Sequence, residues 1–322
     1  LVGSEMCIRD RHGSAFFDYT NDSMKGDKLQ GDRIDNGDYS EKRYGATLGG
    51  SIIKDKLFFF LAYEKLEGAD LFDRVPTGAA TSGRVVQGVS QSQLDEIYQI
   101  ASDVYGYTPG DVVKSLPVED EKLTVKLDWD INENHRASFT YNYNDGYSIS
   151  QSDSDDDEFE FSDHYYERGA RLDSYTGALF SNWTDTFSTE IRGSYLELDN
   201  RQVSRSGGDF GEVQIRTYND DDGDGNFSRA TVYLGTDDSR QSNKLDYTAK
   251  NLKLAGNWEL NDHLITFGYE LDDIDVFNLF LQHSQTENRF DEDCGSDNPN
   301  GCIDKFREGR PDDIYYGNAV PT

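Results

Sequence analysis

The chain has 322 residues, with 62 acidic and 31 basic side chains, a formal net charge of −31 and an apolar fraction of 35%. A chain this acidic would be repelled by a phosphate backbone, so binding to nucleic acid is excluded as a function. The aromatic fraction of 13% is too high for a disordered acidic chain. No apolar window reaches the 18 residues of a membrane helix. Few apolar residues with many aromatic ones predict strands that are apolar on one face only.

The N-terminal segment differs from everything that follows it. Residues 1–11 (LVGSEMCIRDR) share neither the period nor the composition of the rest of the chain. They resemble a translated sequencing adaptor, and we expect them to be non-native, with a genuine N-terminal segment as the alternative. The folded part of the chain is then expected to comprise residues 12–322.

From residue 12 onward, the chain falls into strands with a period of two. A single strand at 12–20 precedes four hairpins, each closed by a short polar turn. The alternation is clearest in "KLTVKLDWDI", where Leu123 and Val125 lie on one face and Thr124 and Lys126 on the other. The predicted antiparallel pairs are 43–53 with 57–66, 121–131 with 135–144, 172–183 with 187–197, and 246–260 with 263–276.

Long polar segments connect the hairpins, at about 21–41, 67–119, 146–170, 199–243 and 283–322. Only "SQLDEIYQIASDVYG" in the second segment is predicted to be partly helical. Strands of about ten residues with aromatic residues near their ends suit a tilted crossing of a bilayer. The pattern predicts an all-β fold: a partial antiparallel transmembrane β-barrel of about nine strands with long extracellular loops. A secreted β-sandwich that binds calcium is the alternative.

The first hairpin carries a motif that resembles a known family. "HGSAFFDYTND", followed by "RYGATLGGSIIKDKLFFFLAYEKLE", is similar to the start of the barrel in TonB-dependent outer-membrane receptors of the Oar-like group. That group has a carboxypeptidase-regulatory-like N-terminal domain. It reads H-G-S-x-F-x-x-Y at the first barrel strand and G-G-P-I-x-K-D-K-L-F-F-F at the first hairpin. Ser51 stands where the group usually has proline. The matching hairpin residues are Gly49, Gly50, Ile52, Lys54, Asp55, Lys56, Leu57, Phe58, Phe59 and Phe60.

The resemblance implies a receptor in the outer membrane of a Gram-negative bacterium that binds or imports a ligand with energy supplied through the TonB complex. Such receptors have an N-terminal plug and a barrel of about 22 strands. Residues 12–322 are therefore expected to be the N-terminal part of the barrel, without the plug and the C-terminal strands. The implied partners are the TonB complex, outer-membrane lipid and lipopolysaccharide, and an unidentified extracellular ligand.

The ligand class stays open at this point. The usual ligands of the family are iron siderophores, vitamin B12, and carbohydrates or peptides. Surface adhesion or protein export without small-molecule uptake is the alternative function, and the acidic loops fit it equally well.

The segment "NDDDGDGNFSRAT" follows the D-x-D-x-D-G pattern of calcium-binding loops. Asp220, Asp222 and Asp224 are predicted to converge on a hard cation, and Asn226 to offer its backbone carbonyl. Thr231 stands where an EF-hand has its bidentate glutamate, so the loop is not an EF-hand. A solvated acidic loop tip is the alternative. The flanking pieces "EVQIRTY" and "RATVYLG" are predicted to form a small hairpin with this loop as its tip.

Two cysteines in the last polar segment are predicted to pair. Cys294 and Cys302 lie eight residues apart in "CGSDNPNGC", whose glycine, asparagine and proline residues favour a tight turn. Two cysteines alone cannot form a structural zinc site.

The remaining chemistry-bearing residues carry no recognisable motif. The acidic run 152–161 is interpreted as a solvated surface loop, with divalent-cation bridging to lipopolysaccharide as the alternative. The five histidines have no partner at ligand spacing. The sequence has no nucleophile elbow, phosphate-binding glycine loop or zinc-protease motif. We therefore expect no enzymatic activity and no cofactor other than calcium.

Overall fold

The computed structural model describes residues 11–26, 28–29, 32–33, 39–80, 83–208 and 210–317. Residues 1–10 of the predicted non-native segment lie outside the described residues. The helices are α1 (Gln91–Tyr105) and α2 (Gly301–Glu308). The strands are β1 (His12–Asn21), β2 (Lys28–Leu29), β3 (Asp32–Arg33), β4 (Ser40–Ile53), β5 (Leu57–Leu71), β6 (Arg74–Thr77), β7 (Arg84–Ser90), β8 (Ser115–Asn132), β9 (His135–Ser150), β10 (Glu158–Glu160), β11 (Tyr166–Thr184), β12 (Phe187–Ser204), β13 (Glu212–Asn219), β14 (Ser228–Leu234), β15 (Asn243–Leu260), β16 (His263–Phe280), β17 (Glu287–Phe290) and β18 (Asp313–Tyr315).

One sheet of nine antiparallel strands, here called the wall, dominates the molecule. Its order is β1-β4-β5-β8-β9-β11-β12-β15-β16, so every strand pairs with its neighbours along the chain. The predicted strand number and the four predicted hairpins are confirmed. Within the described residues β1 and β16 do not pair with each other, so the wall is an open sheet rather than a closed barrel.

The wall strands are longer than predicted, because their backbone hydrogen bonds continue beyond the residues that alternate between apolar and polar. β8 and β9, for example, still pair at Glu119 and Tyr147, beyond the last apolar pair at Leu123 and Tyr143. Strand pairing needs only backbone groups, so polar side chains do not end it. The strands therefore extend several residues above the apolar band.

The two faces of the wall differ in chemistry, as the period of two requires. On the apolar face the register aligns Leu127 with Phe59 and Phe139. On the polar face ion pairs cross between strands: Arg136 lies 3.7 Å from Asp128, and Glu190 pairs with a lysine of β15. Among the described residues no second sheet lies over the apolar face, and many of its side chains are exposed.

The short turns all lie along one edge of the wall, since antiparallel strands alternate in direction. The long connections leave from the opposite edge. Four of them fold together into a second unit, here called the loop domain (residues 72–114, 151–165, 205–242 and 281–317). Its five-stranded sheet has the order β10-β14-β13-β17-β18, and the parallel pair β6 and β7 and both helices pack with it.

The loop domain has an apolar core of its own. At the centre of the sheet Ile215 is fully buried, and it shares one cluster with Ile97 of α1 and Phe306 of α2. The long polar connections predicted from the sequence thus pack against one another around a core. The apolar residues are spread thinly over segments far apart in the sequence, so none of the segments reads as a core by itself.

Both helices close this core, and only the first was predicted. α1 begins at a capping box in which Ser90 accepts from Gln93 N, and it ends at Gly106 with a φ of 66°. Its apolar residues recur at helical spacing, as in Leu94, Ile97 and Ala101. α2 has only eight residues and too short a pattern to be recognised in the sequence. Of the helices in the described residues, none is long and apolar enough to cross a membrane.

Candidate cation sites in the loop domain

The predicted calcium loop lies at the tip of a hairpin, as expected. β13 and β14 pair antiparallel from Val213 with Leu234 to Asn219 with Ser228, which confirms the predicted hairpin. Residues 220–227, here called the tip loop, connect the two strands. Ligand oxygens of Asp220, Asp222 and Asp224 lie within 4.8 Å of one another. The tip loop therefore brings its three alternate carboxylates together.

Backbone amides hold the tip loop in this shape. The amide groups of Gly223, Asp224 and Gly225 donate to the Asp220 carboxylate over 2.9–3.1 Å. Gly223 and Gly225 have φ values of 77° and 87°, a region that favours glycine. Each carboxylate oxygen has two lone pairs, so these bonds leave capacity for a cation.

Asn226 contacts the third carboxylate. Its backbone amide and its side-chain amide each donate to Asp224 over 2.7 Å. These hydrogen bonds, the backbone one first, lower the pKa of Asp224 and keep it ionised.

Asp221, which is not one of the predicted calcium ligands, anchors the tip loop to the rest of the loop domain. It accepts from Thr77 Oγ1 at 2.5 Å and from the Gly88 amide at 3.1 Å. Burial alone would raise the pKa of Asp221, but the hydrogen bonds, led by that of Thr77, outweigh it and lower the pKa. Asp221 therefore fixes the loop, Asp220 is half-buried, and Asp222 and Asp224 are exposed.

The tip loop is expected to bind calcium weakly, with a Kd of about 10⁻⁴ to 10⁻³ M as in extracellular modules. A cation would relieve the repulsion between the three carboxylates. Changing Asp222→Asn and Asp224→Asn together should abolish calcium-dependent protection of residues 219–228 from protease. Asp103→Asn, on the exposed face of α1, is the matched control and should keep that protection. Equal cleavage of the unmodified loop in calcium and in chelator would instead mean a merely solvated tip.

Cys294 and Cys302 are joined by a disulfide, with Cα atoms 5.5 Å apart. Cys302 is fully buried in the core near the start of α2. Nearby, Lys305 Nζ lies 3.0 Å from Asp293 and 2.5 Å from Asp312. The disulfide and this ion pair together fasten the acidic turn at 291–300 to the core of the loop domain.

A second group of acidic residues is buried or half-buried, and no sequence motif marks it. We call it the acid–histidine cluster: Asp153, Glu160, His164, Glu212, Asp237, Asp238, His283 and Glu287. His164 is fully buried, and its Nδ1 lies 3.0 Å from the carbonyl oxygen of Gly235. Its Nε2 lies 3.1 Å from Asp153 Oδ2 and 3.9 Å from Asp237 Oδ2.

His283 approaches the cluster from the other side. Its Nδ1 lies 2.9 Å from Glu287 Oε2 and 3.5 Å from Asp238 Oδ2. Gln214 Nε2 connects the two buried glutamates, donating to Glu212 at 2.5 Å and to Glu287 at 3.0 Å. The interpretation of all five histidines as isolated was therefore wrong for His164 and His283.

Burial changes the protonation of the cluster. It raises the pKa of Glu160 and of Glu212 to about 8 each. Burial acts to lower the pKa of His164, but the hydrogen bond to Asp153 and the charges of Glu212, Glu160 and Asp237 outweigh it and raise the pKa to about 10. The cluster thus has more carboxylates than its cationic groups neutralise. The buried glutamates hold protons instead, and a bound cation could replace those protons.

The acidic run 152–161 contributes to this cluster. Within it Glu158–Glu160 forms β10 and pairs in parallel with β14, and Phe159 and Phe161 are buried. The interpretation as a solvated loop is therefore wrong for its second half. Asp156 in the first half keeps a fully exposed side chain.

Comparison with known proteins finds a family match at the start of the wall. Residues 9–112 match the family described as outer membrane beta barrel domain. That range contains β1, β4 and β5, the first strands of the wall. The match covers about a third of the chain and supports a location of the protein in the outer membrane.

One solved structure is similar over most of the chain. It is the outer membrane transporter YddB from Escherichia coli, with a TM-score of 0.49 and 10% identity over 87% of this chain and 32% of that chain. The present chain thus spans about a third of the length of that transporter. No curated protein matches the chain.

Proposed function

We propose that the protein acts as a TonB-dependent receptor of the outer membrane, binding an extracellular ligand and importing it with energy from the TonB complex. The observation that carries the proposal is the wall itself. In the described part of the chain its apolar face has no second sheet over it, its polar face is crossed by ion pairs, and a folded domain lies over one edge. The motif at residues 12–60 supports the Oar-like subgroup.

The two faces fit the two environments of a barrel wall. Leu127, Phe139 and Phe59 would contact lipid, and the ion pairs around Asp128 and Glu190 would line a wet lumen. Lipopolysaccharide would surround the upper, polar ends of the strands. The loop domain would be the first part of the protein that an arriving ligand meets, and we propose no catalytic role for it.

Uptake experiments separate transport from other roles. Cells with and without the gene would be given labelled ferric siderophore, cobalamin, oligosaccharide and peptide, in hosts with and without TonB. We expect the gene to support uptake of one class only where TonB is present, while binding persists without TonB. If no class is taken up and the gene changes only attachment of cells to surfaces, the protein is an adhesin rather than a transporter.

Adhesion or protein export is the second candidate function, and one observation favours it. The loop domain has its own core and a disulfide, so it can present a fixed surface to a partner. Mobile loops closing over a small ligand would not need such a core. The secreted sandwich is disfavoured, because no described sheet covers the apolar face of the wall.

The topology makes a direct prediction about sidedness. Asp55 lies in the turn between β4 and β5, and Asp222 lies in the tip loop at the opposite edge of the molecule. In intact cells an impermeant maleimide should label Asp222→Cys and leave Asp55→Cys unlabelled. After permeabilisation both should react. Labelling of both positions in intact cells would refute the proposed orientation.

A further inference from the structure

The acid–histidine cluster lies where three loop segments leave the wall. Asp153, Glu160 and His164 come from the segment between β9 and β11, and His164 lies two residues before β11 begins. Glu212, Asp237 and Asp238 come from the segment between β12 and β15. His283 and Glu287 follow β16. A cation held by Glu212, Asp237 and Asp238 would contact the middle segment directly, with His164 and His283 of the other two segments beside it.

The carboxylates in the middle of the cluster have the spacing of a metal site. Ligand oxygens of Glu212, Asp237 and Asp238 lie within 4.8 Å of one another. Two oxygens on opposite sides of a calcium ion, at about 2.4 Å each, are about 4.8 Å apart. Neighbouring groups of the same kind share Asp237 with His164 on one side and Asp238 with His283 on the other.

Among the described residues, two buried carboxylates of the cluster have an oxygen with neither a hydrogen-bond partner nor an ion-pair partner. Asp237 is 2% exposed, and its Oδ1 has no hydrogen-bond partner among the described residues. Glu160 is 3% exposed, and its Oε2 likewise finds none in that part of the chain. Buried carboxylate oxygens are normally paired or bound to a metal, so these two atoms point to an additional ligand.

Nearby cationic groups have partners of their own. His164 has both ring nitrogens directed at Gly235 O and Asp153 Oδ2. Arg289 donates to Glu287. Arg240 donates from Nη1 to Ser239 O and stacks on Tyr166 at 4.1 Å, while its Nε has no hydrogen-bond partner in the described part of the chain. Glu212 accepts hydrogen bonds from Gln214 and from the Asp238 amide, and Asp238 accepts one from Ser239, which leaves further lone pairs on both carboxylates.

We propose that Glu212, Asp237 and Asp238 form a divalent-cation site for calcium in the loop domain, which connects the start of β13 to the residues that follow β14. The donors are all oxygens, which suit a hard cation, and calcium tolerates irregular oxygen coordination better than magnesium. The site is distinct from the tip loop and does not depend on the proposed transport function.

Terbium luminescence tests the site directly, because terbium is a hard cation that replaces calcium and is excited through nearby tyrosines. Tyr233 lies 5.4 Å from the His164 ring. The protein would be purified from outer membranes in detergent, with Asp222→Asn and Asp224→Asn introduced to silence the tip loop. We expect tyrosine-excited luminescence that calcium displaces at lower concentration than magnesium. Adding Asp237→Asn should reduce it at least tenfold, while adding Asp103→Asn should not change it.

Proteolysis tests the site without any mutation in the acid–histidine cluster. At calcium ten times its Kd, the locally opened population falls about elevenfold, so cleavage of the loop domain in the tip-loop variant should slow about tenfold. This measurement decides the question even if Asp237→Asn fails to fold. Absence of luminescence in the tip-loop variant, unchanged cleavage with calcium, or displacement of terbium by zinc in preference to calcium would each overturn the calcium site.

Discussion

Arginine in place of Phe139 is expected to destabilise the protein in the membrane by about 2–4 kcal/mol, which is the cost of this side chain near the bilayer midplane on the lipid face of a barrel. Phe139 lies on the apolar face and is 40% exposed. It is aligned with Leu127, the middle of the apolar row from Leu123 to Ile131. A guanidinium at this level loses its contact with water, and the apolar side chains around it offer no charged partner.

Ser138→Arg is the matched control, one residue away on the same strand. Ser138 lies on the polar face, where its partners in register are Asp128 and Ala178. An arginine there gains an acidic neighbour and should change stability by less than about 1 kcal/mol. The free energy of unfolding in phospholipid vesicles and the amount of protein in outer membranes measure both variants. A larger loss for Ser138→Arg than for Phe139→Arg would mean that the faces are assigned the wrong way round.

Truncation of Phe306 to alanine is expected to open the loop domain at a cost of about 3–5 kcal/mol. Phe306 is fully buried. Its ring stacks on Tyr105 with centroids 4.8 Å apart and meets Phe290 edge-on at 5.3 Å. Both helices and the sheet therefore lose contacts around the cavity that the change leaves.

The expected signature of Phe306→Ala is local. A loss of this size raises the opened population by about two to four orders of magnitude, so protease should cleave residues 72–114 and 281–317 far faster. The wall should stay resistant to protease, because this core is not part of its hydrogen-bonded strands. Phe227→Ala is the control, since Phe227 is 37% exposed in the tip loop. Equal sensitivity of the two variants would show that the loop domain has no cooperative core.

The wall and the tip loop could be predicted because their determinants are local. In the wall, each hairpin joins two strands that are neighbours along the chain, and its two- or three-residue turn sets their register. The alternation around Leu127 assigns the faces without knowledge of any distant residue. The tip loop likewise takes its shape from consecutive residues, Asp220 to Gly225. Helix α1 was predictable for the same reason, through its capping box and its helical spacing.

The loop domain and the acid–histidine cluster were decided by tertiary structure. The core joins Ile97, Ile215 and Phe306, whose segments are connected only by way of the wall. Glu160, Glu212 and Asp237 read as solvated acids in the sequence, because burial of a carboxylate depends on which distant segment covers it. The sequence by itself determined the wall strands, the pairing within its four hairpins and the two chemically different faces. Tertiary structure alone decided that the polar connections form one packed domain whose buried carboxylates meet, since those contacts are non-local and leave no periodic signal in the chain.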